Sequence, residues 1–501
     1  MKKAILFLLS ALMVLSLFAC AKSGGDDVTE AVTTAASDSV EQTEASTVDA
    51  NGFIKDDLPE KMDFDTDINF LHWSDYTMTE FYVEENNGNN IDSAIYSRNL
   101  KVEDRLGVTL KYTGTPGNGD NMAAYTAKVT ADYNSDHMYD IFATYSRIPP
   151  DLSLLGYLTD LNSSGYVNTD KPWWPKALMT EVEINNKLYF ASGDISTNLL
   201  WMMTGTFYNR SLYNDRLADE LYAETPEELV KQNKWTLERL FKMTADVYED
   251  VNSDNKKGRE DFYGMIIYQV NIDAFQTAAG ITSIIKNPDG HLAISPDFVG
   301  QKGADLCEMT GDFLKKTGVF QENSTKIREN FFEERSIFCM DRCFIVAGKD
   351  NTANQTKIEF SFGIIPQPKY SSDQEDFSTN VGHPFTMYCV SGSSHDVEAA
   401  CATLEALASE SYRLVTPEVF ESTMKVRYAD GAEVAEMYDI LRRTVSFDIG
   451  RLYASTFGNT TANGFRTNAL NSPASYLTNI KRSQTPINNG IKAIEEKYFG
   501  N

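Results

Sequence analysis

The chain has 501 residues, with 72 acidic against 45 basic side chains and a formal net charge of −27. Such a balance argues against nucleic acid as a partner and against a basic face for anionic lipid. Apolar residues at 42% and aromatics at 12% suffice for large cores, and the length implies two domains or more.

The first element in chain order is a leader. Lys2 and Lys3 precede an apolar run from Ala4 to Ala19. This is the pattern of an export signal, and it is too short for a permanent span. It closes on Leu17-Phe18-Ala19-Cys20, which resembles the bacterial lipobox, where cleavage precedes a cysteine whose thiol takes a lipid. Residues 1–20 are therefore read as a lipoprotein signal peptide and Cys20 as the lipidation site. The mature chain is then expected on the extracellular face of the cell membrane, held there through the lipid anchor only. From Ala21 to Asn51 there is no aromatic residue, Leu, Ile or Met. Such a segment buries too little surface to offset its ordering entropy, so 21–60 is expected to be a flexible acidic tether.

The body alternates β and α. Ile68 to Trp73 reads as a short apolar strand, Asn86 to Leu106 as a helix, Val108 to Tyr112 as a strand, Met122 to Tyr133 as a helix and Asp140 to Tyr145 as a third strand. Strands alternating with helices of this length predict an α/β fold, with mainly parallel sheets covered on both faces. Ligands of such sheets sit beyond the carboxyl ends of the strands. Trp73 and Asp75 should therefore share a rim with Tyr145 and Arg147. Later come Trp173-Trp174-Pro175, a β-rich run from Trp201 to Asn209, helical text over 227–232 and 236–247, and a strand from Gly264 to Tyr268.

Five cysteines remain besides Cys20: Cys307, Cys339, Cys343, Cys389 and Cys401. Their odd number and loose spacing suit small buried residues rather than a disulfide framework or a zinc site. None of the five histidines lies in a ligand-spaced pair, and no metalloprotease, nucleophile-elbow, phosphate-loop or dinucleotide motif occurs. No catalytic residue is assigned. One loop has metal chemistry of its own: Asp250, Asn252, Asp254, Lys256 and Asp261 stand at positions 1, 3, 5, 7 and 12. Four side-chain oxygens and the Lys256 carbonyl could fold round a structural Ca²⁺ ion. Asn255 replaces the usual turn glycine and Asp261 the usual bidentate Glu.

The ordered segments NNKLYFASGD, GTFYNRSLY, KWTLERLFKMT and DVNSDNKKGREDFYG, followed much later by FGIIPQPKY, resemble the extracellular solute-binding lipoproteins of ABC importers, carbohydrate-type family 1. The resemblance spans residues 64 to 498. It implies a two-lobed, type II periplasmic-binding-protein-like fold, each lobe a mainly parallel sheet flanked by helices. Lobe one would comprise 61–204 and 325–382, lobe two 205–324 and 383–501. Crossings would fall near Thr204, near Lys326 and near Gly382-His383-Pro384. The implied function is capture of a sugar or oligosaccharide between the lobes by a monomer, and its delivery to ABC permease subunits. A sugar needs aromatic faces and planar polar groups, so the candidate ligand-binding residues are Trp73, Asp75, Tyr145, Arg147, Trp173, Trp174, Asp194, Trp201, Asn271, Asp273, Phe275, Asp341 and Arg342. Relatives commonly carry a small residue where Arg335 or Arg342 stands, which admits an acidic ligand. The competing readings are a ligand-sensing or adhesion module of the same fold, and a surface polysaccharide hydrolase.

Overall fold

The computed structural model describes residues 47–75, 79–218, 222–347, 358–429 and 431–500. The leader, Cys20 and the tether as far as residue 46 lie outside the described residues. The last part of the expected tether is not free chain. Val48 and Ile54 form an antiparallel bridge. Asp56 receives hydrogen bonds from Arg105 at 2.6 and 2.9 Å, from Ser409 at 2.7 Å and from Arg413 at 3.1 Å. A carboxylate with three partners pins this stretch to the body, so the tether ends earlier than residue 60.

The first sheet is built from β1 (Thr66–Trp73), β2 (Val108–Thr115) and β3 (Ile141–Tyr145). β1 pairs in parallel with both of the others. Within β1, Ile68, Phe70, Leu71 and Trp73 are all at most 2% exposed, as a strand covered on both faces should be. The helix Asn90–Leu106 starts where the Asn89 side chain accepts the Ile91 and Asp92 N–H groups. It stops at Gly107, whose φ of 65° is the left-handed conformation that suits glycine, and β2 follows at once.

The second sheet begins with β4 (Thr204–Asn209), β5 (Tyr248–Glu249) and β6 (Phe262–Tyr268). A small hairpin of β7 (Ile284–Lys286) and β8 (Leu292–Ile294) lies outside it. β9 (Val319–Glu322) and β10 (Ser336–Arg342) each pair in parallel with β6. β11 (Phe362–Ile365) pairs antiparallel with β4, which in turn runs antiparallel to β10. β12 (Thr379–Asn380) pairs with β14 (Val445–Ser446), and β13 (Thr386–Val390) returns to the first sheet antiparallel to β3.

This topology corrects the expected lobe boundaries. β10 and β11 fall in 325–382 but belong to the sheet of β4 and β6, whereas β13 falls in 383–501 but belongs to the sheet of β1 and β3. There is no crossing near Lys326, because β9 and β10 on either side of it lie in one sheet. The crossings near Thr204 and Gly382 run side by side. Met203 bridges Val381, and the Gly382 N–H donates to the Met202 carbonyl at 2.8 Å. The five described cysteines are buried and free, as small core residues.

Candidate functional site: an arginine-lined cleft

β1 and β3 in one sheet, and β6 and β10 in the other, end towards the segments where the chain crosses. From the end of β3, Ser146 donates to the His383 carbonyl at 2.7 Å. Arg147 donates to Asn459 Oδ1. Asn459 precedes the helix Thr460–Asn471, which packs on the second lobe's helices 273–278 and 301–314. The two walls therefore meet at Ser146-Arg147, His383 and Asn459.

The charges here are mostly guanidinium groups. Asp273 is 4% exposed and receives Arg466 at 3.0 Å and Arg451 at 3.6 Å. Burial pushes its carboxyl upward, against the pull of those arginines. Burial also opposes the charge of Asp341, but Arg328 (at 2.6 Å) and Arg342 hold it below the usual carboxylate range. Arg342 lies over the Phe344 ring, 4.8 Å from its centre. It also runs against Gly382, where an added Cβ would stand 2.6 Å from the arginine's Cδ. Burial pushes His383 well below its ordinary value, and Arg451, Arg147, Arg466 and Arg342 push it the same way. The imidazole is therefore neutral and sits amid four cations.

His383 and Arg451 line a cavity of about 60 Å³ together with Thr277, Asn380, Ser446 and Phe447. That is the share of about two waters, so a sugar ring enters only if the walls part. A more open recess of about 500 Å³ lies by Trp201, with Asn89, Asp92, Thr423, Arg427 and Tyr428 around it.

The predicted residues divide accordingly. Arg147 and Arg342 lie near Tyr145, whose hydroxyl is raised by burial against the pull of Arg147, Arg342 and Arg451, and Asp273 joins them through Arg451. Trp201 borders the open recess but is 1% exposed and meets Tyr428 edge-on, so it packs in the wall and offers no face to a solute. Asp75 is half-buried and accepts the Asn118 N–H at 2.7 Å and the Gly117 N–H, which fixes the loop after β2.

Other candidates are corrected to supporting roles. Trp73 is 2% exposed, and its indole N–H donates to Thr386 at 2.9 Å, so it ties β1 to β13. Trp173 and Trp174 are buried and both donate to Glu405, at 3.1 and 2.9 Å. Their faces are packed and offer no platform to a solute. Asp194 faces Arg442 at 3.2 Å, and burial pushes it up to about 6. Asn271 donates to the Met340 carbonyl, and Phe275 packs edge-on against Phe241 in the core. Asp341 is the buried partner of Arg328. Arg335 pairs with Glu333 at 3.2 Å. His383, Arg451 and Arg466 were missed. No motif marks them; the signal available was three basic or titratable residues in the C-terminal third, all close to turn residues.

In the loop Asp250–Asp261, Asn255 has the left-handed φ of 58° expected of it. Asp250 accepts the Asn255 N–H, Asn252 the Asp254 N–H, Asp254 the Lys256 N–H and Asp261 the Gly258 N–H. One carboxylate oxygen each of Asp250 and Asp261 is buried with no hydrogen-bond partner. Among the described residues no three acidic, His or Cys side chains are gathered closely enough to hold a metal. The other Asp261 oxygen also accepts the Tyr248 and Tyr263 hydroxyls, so the loop's remaining acceptors are turned to its own backbone and to those rings.

No family model and no curated protein matches the chain. Solved structures do. The cyclic α-maltosyl-1,6-maltose binding protein from Arthrobacter globiformis aligns with a TM-score of 0.53 at 15% identity, over 85% of this chain and 99% of that one. The maltose/maltodextrin-binding domain MalE from Bdellovibrio bacteriovorus, bound to maltotriose, aligns with 0.53 at 13% identity, over 85% and 100%. UgpB from Mycobacterium tuberculosis, in complex with glycerophosphocholine, aligns with 0.53 at 16% identity, over 85% and 99%. The fold is that of the type II, two-lobed solute-binding proteins. Among the described residues no helix is long and apolar enough to cross a membrane.

Proposed function

We propose that the chain is a solute-binding receptor that captures a saccharide between its lobes and delivers it to an ABC permease. The observation that carries this reading is the pair of neighbouring crossings, Met202–Thr204 beside Val381–Gly382, with strand ends from both sheets turned to one polar cleft. Two lobes on such a joint can close over a solute that touches both. The structural neighbours named above bind maltodextrin-type sugars or a glycerophosphodiester, which supports a small polar solute. They are binding proteins, which supports a binding role over the hydrolase reading. The test is a thermal-shift screen across neutral and acidic saccharides and short peptides, since ligand that binds the native state raises its melting temperature. A shift with no saccharide but with peptides would move the assignment to a peptide receptor; no shift with either would remove it.

Two further parts of the reading stand apart from the cleft. The Leu17–Cys20 stretch supports a lipid anchor on the extracellular face of the membrane. Cys20→Ala should then release folded protein into the medium, and unchanged membrane association would refute the anchor. The orphaned oxygens of Asp250 and Asp261 support a structural Ca²⁺, which would draw on Asp250, Asn252, Asp254, the Lys256 carbonyl and Asp261.

A further inference from the structure

Three arginines converge on the crossing at Gly382-His383: Arg147 follows Ser146, which bonds the His383 carbonyl, Arg342 runs against Gly382, and Arg451 shares a cavity with His383. Asp273 serves both Arg451 and Arg466. Asp341 is taken first by Arg328, through bonds of 2.6 and 3.3 Å, and Arg342 Nε stands 3.7 Å from it. Arg147 has no carboxylate within ion-pair distance among the described residues; its hydrogen bond goes to the neutral Asn459, and its Nε is buried without a partner. The other acids nearby are otherwise engaged. Asp448 lines the same cavity as Arg451 and His383 and lies within reach of Arg451's charge, and it accepts from the Ser283 N–H and hydroxyl and from the Gly450 N–H. Asp151 bonds Ser455 and is within electrostatic reach of Arg147 and of Tyr453. Asp120 is felt at Tyr145 less than the arginines are. A chain of net charge −27 thus sets Arg147, Arg342 and Arg451 beside Gly382-His383, where it crosses between its sheets.

Guanidinium is the group that recognises planar or tetrahedral oxyanions through paired, charge-assisted hydrogen bonds. We propose that the solute bears an oxyanion substituent, a carboxylate or a phosphate ester, which Arg147 grips from the first lobe while Arg451 and Arg342 face it from the second. This rests on the receptor reading and narrows it from a saccharide to an acidic saccharide. The Arg147–Asn459 bond then stands where the solute's anion would be received: an anion can take over the Arg147 N–H groups that now reach a neutral amide. His383, uncharged, adds a hydrogen bond without adding charge.

The experiment uses the folded mature chain and matched pairs of probes that differ in charge alone. Oligogalacturonates are compared with their methyl esters, and glucose 6-phosphate with glucose; inorganic phosphate is compared with chloride at equal ionic strength. Binding is read by calorimetry and melting temperature. The expected result is that one charged member of a pair binds at least tenfold tighter than its neutral mate, and that Arg147→Gln removes most of that difference, as loss of a charge-assisted hydrogen bond should. Phosphate should raise the wild-type melting temperature more than chloride does. Arg342→Gln is the second variant, should Arg147→Gln fold poorly. The pair that responds tells carboxylate from phosphate. Neutral saccharides that bind as tightly as charged ones, with both variants unaffected, would overturn the oxyanion and leave the receptor standing. Binding of no saccharide, with phosphate no better than chloride, would overturn both.

Discussion

Asp56 shows how much one side chain can fix. Its side chain is 2% exposed. Burial opposes its charge, but hydrogen bonds from Arg105 and Ser409, with the Arg105 and Arg413 charges, lower it to about 2. A carboxyl depressed on folding contributes stability that is complete above its unfolded value and is lost as pH falls through its folded one. That contribution should therefore fade between about pH 4 and pH 2, and is worth about 2 kcal/mol. Asp56→Ala leaves Arg105 and Arg413 without their shared anion and should cost roughly 3 kcal/mol at pH 7, measured by urea unfolding. A variant as stable as the parent would show that the 48–60 stretch adds nothing to the body. Trp73 is the matching case in the core. As a sugar platform it should affect binding alone, but its indole bonds Thr386 and its ring meets Tyr145 edge-on at 5.7 Å. Trp73→Ala should cost roughly 3–5 kcal/mol of folding stability. A variant with unchanged urea midpoint and weakened binding would restore the platform reading. Nothing in the sequence distinguishes the two roles, since an aromatic at a strand end serves either.

At the scale of elements, what the sequence made legible was periodic. The strands at 66–73, 108–115 and 141–145 and the helices between them follow from their apolar spacing and caps. Sheet membership did not. β10 and β13 are both short apolar runs, and no local property says that one crosses to the far sheet while the other returns. Partner choice is set by long-range pairing, here the registers Phe338 with Tyr208 and Met387 with Thr144. The candidate site split on the same ground. Arg147 was found by the rule for open α/β sheets and Arg342 through the lobe crossing that the resemblance implied, whereas Arg451 and Arg466 sit on C-terminal helices whose docking no motif announces. The loop 250–261 is the element with the sharpest test. Ca²⁺, but not Mg²⁺ at equal concentration, should raise the melting temperature of chelator-treated protein by several degrees. Asp261→Asn should abolish the response. Equal melts with and without Ca²⁺ would leave an acidic turn held by its own backbone.

For the whole molecule the question is what balances open against closed. The cleft as it stands leaves a cavity of about 60 Å³, and the C-terminal helices are tied to the first-sheet side by Arg147 to Asn459, Arg442 to Asp194 at 3.2 Å, Ser153 to the Tyr453 hydroxyl at 3.3 Å and the Asn185 amide to the Tyr498 carbonyl at 3.0 Å. A solute shifts such an equilibrium only by its difference in affinity for the two forms. One that touches Arg147 on one wall and Arg451 on the other gains that difference only when the walls meet. Asn459 has a φ of 63°, so Asn459→Gly removes the side chain without straining the backbone. The variant loses a cross-cleft bond in the free protein. Its apo radius of gyration by small-angle scattering should exceed that of the parent, while its affinity for the best saccharide of the thermal screen should not fall, because the solute no longer has to displace the Asn459 amide from Arg147. Saturating solute should bring parent and variant to the same compact radius, because the solute then supplies the bridge. Equal apo radii would show that Asn459 does not govern closure, and tight binding with no compaction in either protein would refute the hinged receptor.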